Sequence, residues 1–182
     1  MKYASRAGEK LEWALEKFGV EASGLVCADF GSNTGGFVDC LLSHGAVKVY
    51  AVETGYGVLD WKLRNSPSVV PMERTNAMNV VLPEKVSLLT IDVSWTRLVK
   101  ILPNALQNLA PNGQIIALVK PHYEAEAKHL RKGKLLEEFI PDVLLGVKNQ
   151  IQALGLQILA ETESPIVGEK AGNKEFLLLL KK

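Results

Sequence analysis

Four ionisable residues each follow an apolar run, a position typical of functional side chains in an open parallel sheet. They are Asp29, Glu53, Asp92 and Lys120. Because ligands bind outside the carboxyl ends of parallel strands, we predict that these four side chains share one rim of the sheet. Neighbouring strands lie about 4.8 Å apart, so side chains at adjacent strand ends can converge on one substrate atom.

The stretch from Asp29 to Phe37 reads Asp-Phe-Gly-Ser-Asn-Thr-Gly-Gly-Phe, and we call it the glycine loop. Its three glycines have no Cβ, so backbone N–H groups can approach a ligand closely. The spacing G-x-x-x-G-G matches neither the G-x-G-x-x-G of dinucleotide folds nor the G-x-x-x-x-G-K-[ST] of phosphate-binding loops. Glu53 follows the loop by about twenty residues, where a carboxylate can bind a ribose diol. Loop and acid together predict an adenosine-containing ligand without phosphates.

Length and composition favour a single cytoplasmic domain covering residues 1–182. A chain of 182 residues can bury its own core. Cys27 and Cys40 lie in no metal-binding pattern, so we predict buried thiols and no metal site. The N-terminus lacks the apolar segment of a signal peptide, and no run is long enough to span a bilayer, so we predict no membrane partner. With a formal charge of +1, any RNA-binding surface must be local.

The order of the apolar runs predicts a doubly wound α/β fold. Most strand candidates are continuously apolar, as expected for parallel strands covered by helices on both faces. A helix from Ser5 to Gly19, with Ser5 as its N-cap, precedes the first strand and carries Lys10. The last two runs, 156–161 and 175–180, predict an antiparallel hairpin. An antiparallel last strand would begin at the functional rim, which places Glu175 beside Asp92 and Lys120.

Three further segments have less regular sequence patterns. Pro103 should kink the helix that follows Leu98 or reset its start. Pro141 should open a long helix that Gly155 closes. Between them, residues 122–137 have little apolar periodicity, and we interpret them as a mobile basic loop that could contact RNA. Its candidate RNA-binding residues are Lys128, Arg131, Lys132 and Lys134.

An ordered series of short segments resembles a known family over essentially the whole chain. The segments are Ser-Arg-Ala-Gly-Glu-Lys-Leu at 5–11, the glycine loop, Ala-Val-Glu-Thr-Gly-Tyr-Gly at 51–57, Glu-Arg-Thr-Asn-Ala at 73–77, Ile-Asp-Val-Ser at 91–94, Leu-Val-Lys-Pro at 118–121 and Asn-Lys-Glu-Phe-Leu at 173–177. In this order they resemble the FtsJ-like ribose 2'-O-methyltransferases, most closely the TlyA type, which is also named haemolysin A.

The resemblance implies a Rossmann-like class I methyltransferase fold, with S-adenosylmethionine as cofactor and RNA as substrate, in particular rRNA or ribosomal subunits. It also implies a catalytic tetrad of Lys10, Asp92, Lys120 and Glu175. The expected cofactor-binding residues are Asp29, Gly31, Ser32, Asn33, Thr34, Gly35, Gly36, Phe37, Glu53, Asn76 and Asp92. Asn76 is the one that the resemblance assigns to the adenine. The sequence gives no prediction of the oligomeric state.

The chain departs from the family pattern in three places. TlyA-type proteins typically begin with an S4-like RNA-binding domain, whereas this sequence starts directly at the methyltransferase segment. The family's Lys-Pro-Gln-Phe-Glu is Lys-Pro-His-Tyr-Glu at 120–124, and a glycine-rich stretch is replaced by Lys-His-Leu-Arg-Lys-Gly-Lys at 128–134. These departures concern substrate specificity more than chemistry.

Four alternative functions have different sequence requirements. A non-catalytic RNA- or partner-binding module could retain the fold. Methyltransferases that act on base nitrogens favour a D/N-P-P-Y motif, where this chain has Asp-Val-Ser-Trp at 92–95, and cytosine-C5 enzymes need a nucleophilic cysteine at the rim. A pore-forming cytolysin would require a membrane-spanning or strongly amphipathic segment, which the sequence lacks.

Lys120 is the candidate general base, provided that its pKa falls from about 10.4 toward the working pH. Burial and a second lysine lower the pKa of an amine, and two carboxylates raise it. The sequence leaves the direction of the net shift open.

Overall fold

The computed structural model describes residues 1–169 and 171–182. Seven strands form one sheet in the order β3-β2-β1-β4-β5-β9-β8, and β6 and β7 form a separate hairpin. The strands are β1 (Val26–Phe30), β2 (Lys48–Val52), β3 (Val69–Met72), β4 (Val86–Ile91), β5 (Leu109–Val119), β6 (Leu130–Arg131), β7 (Lys134–Leu135), β8 (Gln157–Glu163) and β9 (Phe176–Lys181). β9 is antiparallel to both of its neighbours, and the pairs on the β1 side are parallel. The predicted doubly wound sheet with an antiparallel last strand is confirmed.

Helices cover both faces of this sheet, as the continuous apolar strands require. They are α1 (Ala7–Phe18), α2 (Gly36–Ser43), α3 (Trp61–Arg64), α4 (Leu98–Asn108), α5 (Pro121–Glu124) and α6 (Ile140–Ala153). Apolar side chains of α1, α2 and α3 pack against one face, and those of α4 and α6 pack against the other. Both predicted buried thiols, Cys27 and Cys40, are fully buried. Among the described residues, no helix has the length and apolarity needed to cross a membrane.

The first helix differs from prediction at its N-terminus only. It ends at Gly19, whose φ of 62° gives the predicted left-handed C-cap. Its N-cap is Arg6 rather than Ser5, and no side chain caps it. The Ser5 hydroxyl is so close to Gly36 that a Cβ there would lie 2.3 Å from it, while the Ser5 carbonyl accepts the Gly8 N–H at 3.1 Å. Ser5 therefore packs against the end of the glycine loop instead of capping α1.

Two other predicted boundaries shift. Pro103 lies inside α4, so the helix is continuous from Leu98 to Asn108. The apolar run at 114–119 predicts a strand that begins at Gln114, whereas β5 begins five residues earlier, at Leu109, because its pairing with β4 skips from Leu109 to Gln114 across an irregularity. The long helix α6 starts at Ile140, next to the predicted Pro141, and Gly155 follows it with a φ of 79°.

Residues 122–137, which the sequence predicts to be a mobile basic loop, contain regular secondary structure, so the prediction of a loop is wrong. The segment contains α5, two short 3₁₀ turns (Ala127–His129 and Glu137–Phe139) and the β6–β7 hairpin. Lys132 and Gly133 at the tip both have positive φ, 49° and 79°, as a type I′ turn requires. Leu135 is buried, and this single apolar anchor is too small to give the periodicity that predicts a strand.

Candidate active site

The glycine loop is bound tightly between the ends of β2 and β4. The N–H groups of Gly31 and Ser32 both donate to the carbonyl of Val52, at 2.9 and 3.1 Å. Gly31 has a φ of 89°, and a Cβ there would lie 2.5 Å from the carbonyl oxygen of Asp92. Gly35 has a φ of 98°, and its Cβ would lie 2.3 Å from the side chain of Leu63. Both positions therefore require glycine on grounds of conformation and space.

Glu53 connects the glycine loop to the turn after β2. One carboxylate oxygen accepts the Asn33 N–H at 2.9 Å, and the other accepts the Gly55 N–H at 2.8 Å and the Thr54 hydroxyl at 3.0 Å. A carboxylate has about four acceptor sites, so Glu53 keeps capacity for a further hydroxyl donor. The predicted ribose ligand would thus be bound by a group that also holds the loop in shape.

Asn76, the predicted adenine contact, lies in the turn that follows β3 and is exposed. The preceding residue, Thr75, donates its N–H to the Glu53 carbonyl at 2.9 Å, so the two predicted ligand residues lie on hydrogen-bonded segments. The Asn76 side-chain oxygen accepts the Met78 N–H at 2.9 Å, which leaves its amide NH₂ to face a ligand.

Asp29 and Ser32 lie buried at the base of the glycine loop. One carboxylate oxygen of Asp29 accepts the Thr90 hydroxyl at 2.7 Å, whereas its other oxygen and the Ser32 hydroxyl find no hydrogen-bond partner among the described residues. Burial, together with the charges of Asp92 and Glu53, raises the pKa of Asp29 to about 8. The hydrogen bond from Thr90 lowers this pKa, but by less than burial raises it. Both residues line a cavity of about 80 Å³, which Thr34, Gly36 and Phe37 also line. Unpaired buried polar atoms beside glycines without Cβ fit a polar ligand that approaches the backbone closely, as S-adenosylmethionine would.

The four residues of the predicted tetrad form two ion pairs. Lys10 Nζ lies 2.5 Å from Glu175 Oε2, and both side chains are buried. Lys120 Nζ lies 2.6 Å from Asp92 Oδ1, and these side chains are 13% and 16% exposed. Val119 pairs with Phe176 in the antiparallel register, which brings Lys120 and Glu175 to the same rim of the sheet. α1 supplies Lys10 from outside the sheet, as predicted.

Both ion pairs line one cavity of about 920 Å³, which we call the tetrad cavity. Asp92, Ser94, Lys120, Asn33 and Thr34 line this cavity and also the smaller one at the glycine loop, so the two adjoin. Glu53 and Asn76 are not among the described residues that line either cavity. The Lys120–Asp92 pair is therefore placed where the glycine-loop cavity meets a larger space that can take a second molecule, and the Lys10–Glu175 pair lines the larger space alone.

The electrostatics of the tetrad cavity favour a protonated Lys120. Burial lowers the pKa of the Lys120 amine, but the charge and hydrogen bond of Asp92 and the charge of Glu175 outweigh it, so the pKa lies above its ordinary value. Lys120 also donates to the Ser94 hydroxyl at 3.3 Å. Burial and the charges of Lys120 and Lys10 lower the pKa of His122, which keeps that ring neutral at pH 7.

Glu124 is a structural contributor that sequence reasoning missed. Its carboxylate accepts the N–H of Leu98 at 2.7 Å, at the first turn of α4, and burial raises its pKa. α5 follows Lys120 and α4 follows Asp92. The hydrogen bond between Glu124 and Leu98 therefore connects the two segments that carry the Lys120–Asp92 ion pair. The Lys-Pro-His-Tyr-Glu motif contains Glu124, but only the fold shows that α4 begins opposite it.

An aromatic group lies along the same wall of the tetrad cavity. The Tyr123 ring centroid is 5.0 Å from that of Trp95 and 4.1 Å from that of His122.

The four predicted RNA-binding residues are all exposed, and Lys128 pairs with Glu126 at 2.9 Å. Of these four, Lys132 also lines the tetrad cavity. Within the described residues, no group of three or more His, Cys, Asp or Glu side chains is arranged to hold a metal ion.

Comparison with known proteins decides the family. The model of the FtsJ-like methyltransferases matches residues 3–182. The chain belongs to the FtsJ-like methyltransferase family. Among FtsJ-like relatives, Hemolysin A of Brachyspira hyodysenteriae is 40% identical, over 97% of this chain and 76% of that protein. The 16S/23S rRNA (cytidine-2'-O)-methyltransferase TlyA of Mycobacterium tuberculosis is 36% identical, over 98% of this chain and 68% of its own length.

The solved structures agree with this family. A protein provisionally named a hemolysin, from Streptococcus thermophilus, superposes with a TM-score of 0.96 at 38% identity, covering 100% of this chain and 68% of the other. The chain thus spans about two-thirds to three-quarters of the length of these relatives.

Proposed function

We propose that this protein transfers a methyl group from S-adenosylmethionine to a ribose 2'-hydroxyl of RNA, with rRNA as the substrate. The observation that carries the proposal is the pair of ion pairs, Lys10–Glu175 and Lys120–Asp92, in a cavity that adjoins the glycine loop. Family membership supports methyl transfer, and the activity for which the TlyA relative is named supports rRNA ribose as the acceptor.

The glycine loop and Glu53 are the proposed cofactor site. One carboxylate oxygen of Asp29 and the Ser32 hydroxyl offer unpaired polar atoms at its base, and Glu53 and Asn76 offer an acceptor and a donor for ribose and adenine. When bound, S-adenosylmethionine supplies an electrophilic methyl group on a positively charged sulfur. The carboxylates of Asp92 and Glu53 lie on this side of the site and favour a cation there.

Lys120 is the proposed proton acceptor for the 2'-hydroxyl. In the free protein its pKa is raised, so the amine is protonated and must lose its proton before it can act as a base. Two changes on substrate binding would lower the pKa: exclusion of water from the cavity, and a cationic cofactor next to Asp92. Asp92 orients the amine, and the buried Lys10–Glu175 pair keeps the charge of Glu175 compensated.

The decisive experiment supplies S-adenosylmethionine labelled in its methyl group to the protein with 30S subunits, 50S subunits, whole ribosomes or naked rRNA. The label is then mapped to ribose or base by nuclease digestion and mass spectrometry. We expect label on a ribose 2'-oxygen, and none with Lys120→Ala. Label on a base would contradict the proposal, and RNA binding without any transfer would favour the non-catalytic RNA-binding module.

A further inference from the structure

The β6–β7 hairpin, residues 130–135, is part of the wall of the tetrad cavity, and we call it the basic hairpin. Leu130, Lys132 and Gly133 line the cavity together with Lys10 and Glu175. Leu130 pairs with Leu135 and Arg131 with Lys134, so the type I′ turn at Lys132-Gly133 forms the tip. A two-residue turn of this type fixes its register, and the position of Lys132 is therefore defined by the backbone.

Asn173 fastens the basic hairpin to the segment that carries Glu175. Its side-chain oxygen accepts the Leu135 N–H at 2.9 Å, and its side-chain NH₂ donates to the Gly133 carbonyl at 2.9 Å. Asn173 is only 5% exposed, and its own carbonyl accepts the Gly168 N–H at 2.9 Å. Two side-chain hydrogen bonds from this buried amide thus hold the turn and β7, and Asn173 precedes Glu175 by only two residues in the chain.

The charges of the basic hairpin are available to a partner. Lys128, just before the hairpin, is paired with Glu126. Among the described residues, none forms an ion pair with Arg131, Lys132 or Lys134. Of these three unpaired cations, Lys132 is the one that lines the cavity where the acceptor ribose would lie. A cation carried by an ordered turn at the edge of that cavity is suited to a backbone phosphate.

We propose that the basic hairpin clamps the RNA backbone, with Lys132 contacting a phosphate of the acceptor strand and Asn173 fixing its distance from the tetrad. This inference rests on the proposed function, because it takes the acceptor to be an RNA strand. Asn173 is a positioning residue that acts through the hairpin. Lys132 sets the register of the strand in the cavity, and the remaining cations supply sequence-independent attraction.

The test compares Lys132→Ala with Lys100→Ala in the full chain. Lys100 is an exposed lysine on α4 outside the cavity, so both variants lose one exposed charge. Binding of a fluorescein-labelled oligouridylate is measured by anisotropy over a range of salt, and methyl transfer is measured on ribosomal subunits. We expect Lys132→Ala to reduce the salt slope by about 0.7 and to raise KM about tenfold, as for loss of one charge-assisted phosphate contact. Lys100→Ala should change neither.

Asn173→Asp is the second variant, because it keeps the acceptor for the Leu135 N–H and loses the donor to the Gly133 carbonyl. The melting temperature should fall, because a buried carboxylate oxygen would face the Gly133 carbonyl, so kcat is measured well below that temperature. There we expect kcat to fall while oligouridylate binding is kept, since the cations remain and only their position changes. A drop in melting temperature with unchanged kcat would show a purely structural role and overturn the positioning part.

The two proposals fail in distinguishable ways. If wild type methylates RNA but Lys132→Ala behaves like Lys100→Ala in both assays, the clamp is wrong and the proposed function stands. If wild type transfers no methyl to any RNA, yet Lys132→Ala still weakens and flattens oligouridylate binding, the proposed function is wrong and the clamp is a binding site of another kind.

Discussion

The two halves of the candidate active site are built in different ways. The half proposed to bind the cofactor is made mainly by one βαβ unit, β1-α2-β2, with Asn76 added from the turn after β3, and its key contact joins residues only 20 apart, Asn33 and Glu53. The acceptor half is made by side-chain ion pairs between distant segments, and Lys10 and Glu175 are 165 residues apart. Local backbone geometry therefore shapes the first half, whereas the packing of α1, β4, β5 and β9 must be complete before the second half exists.

Because the two halves are built separately, we expect a substitution in the acceptor half to change the rate of methyl transfer without changing cofactor affinity. The largest effect is expected for Lys120→Ala, which should lower the rate of methyl transfer by roughly 10² to 10⁴, the usual contribution of a general base. Affinity for S-adenosylmethionine should stay near wild type. Single-turnover kinetics and calorimetry on the same preparation measure the two quantities, with Lys100→Ala as the control for charge. Normal turnover by Lys120→Ala would remove that residue from the mechanism.

Asp29 should make the cofactor half sensitive to pH. Its folded pKa of about 8 lies above the ordinary value of 3.8, so the folded state retains a proton that the unfolded state loses. The free energy of unfolding should therefore fall as pH rises from about 4 to about 8, by up to about 4 kcal/mol between pH 5 and pH 8.

Asp29→Asn is the variant that isolates this effect, because it keeps the shape and cannot titrate. Urea unfolding at several pH values should show a flatter dependence for Asp29→Asn than for wild type. Parallel curves for the two proteins would mean that another group carries the pH dependence.

Gly31 is the point where the two halves touch, so Gly31→Ala should affect both of them at once. The added Cβ would meet the Asp92 carbonyl oxygen, so both cofactor binding and methyl transfer should fall. Gly57→Ala is the matched control, since Gly57 also has a positive φ, 69°, but nothing lies within 4 Å of its Cβ. Both variants carry about 1 to 2 kcal/mol of backbone strain, and Gly31→Ala should lose about 1 to 3 kcal/mol more from the clash. Equal melting temperatures for the two variants would contradict this.

The smallest effect is expected for Glu53→Ala, which should weaken S-adenosylmethionine binding by about 1.5 to 3 kcal/mol through loss of a charged acceptor. Glu53→Gln keeps one acceptor oxygen and should lose less. Calorimetry on both variants, with circular dichroism as a check on folding, separates the contribution of the negative charge from that of an acceptor oxygen. If Glu53→Gln binds as tightly as wild type while Glu53→Ala does not, the negative charge is unimportant and a neutral acceptor oxygen is sufficient.

Features that depend on local pattern could be predicted from the sequence. The seven-stranded sheet, the direction of β9 and the rim positions of Asp92, Lys120 and Glu175 all follow from apolar runs and their ends, because a strand carries its own periodicity. The tight glycine loop follows from the absence of Cβ atoms. Lys10 is different: its place in the tetrad was implied only by resemblance, since a helix outside the sheet has no fixed register against it.

Only the tertiary structure decides which of several opposing effects on a residue is the largest. The sequence contains the burial, the lysines and the carboxylates that act on Lys120, but the sign of its pKa shift depends on the 2.6 Å separation from Asp92 and on the nearby charge of Glu175. The sequence predicts a loop where the basic hairpin lies, because the order of the hairpin comes from Asn173, about 40 residues later in the chain, and from one buried leucine. Sequence determines which groups are present and what they can do locally, whereas distances between remote segments arise only when the whole sheet and its helices pack.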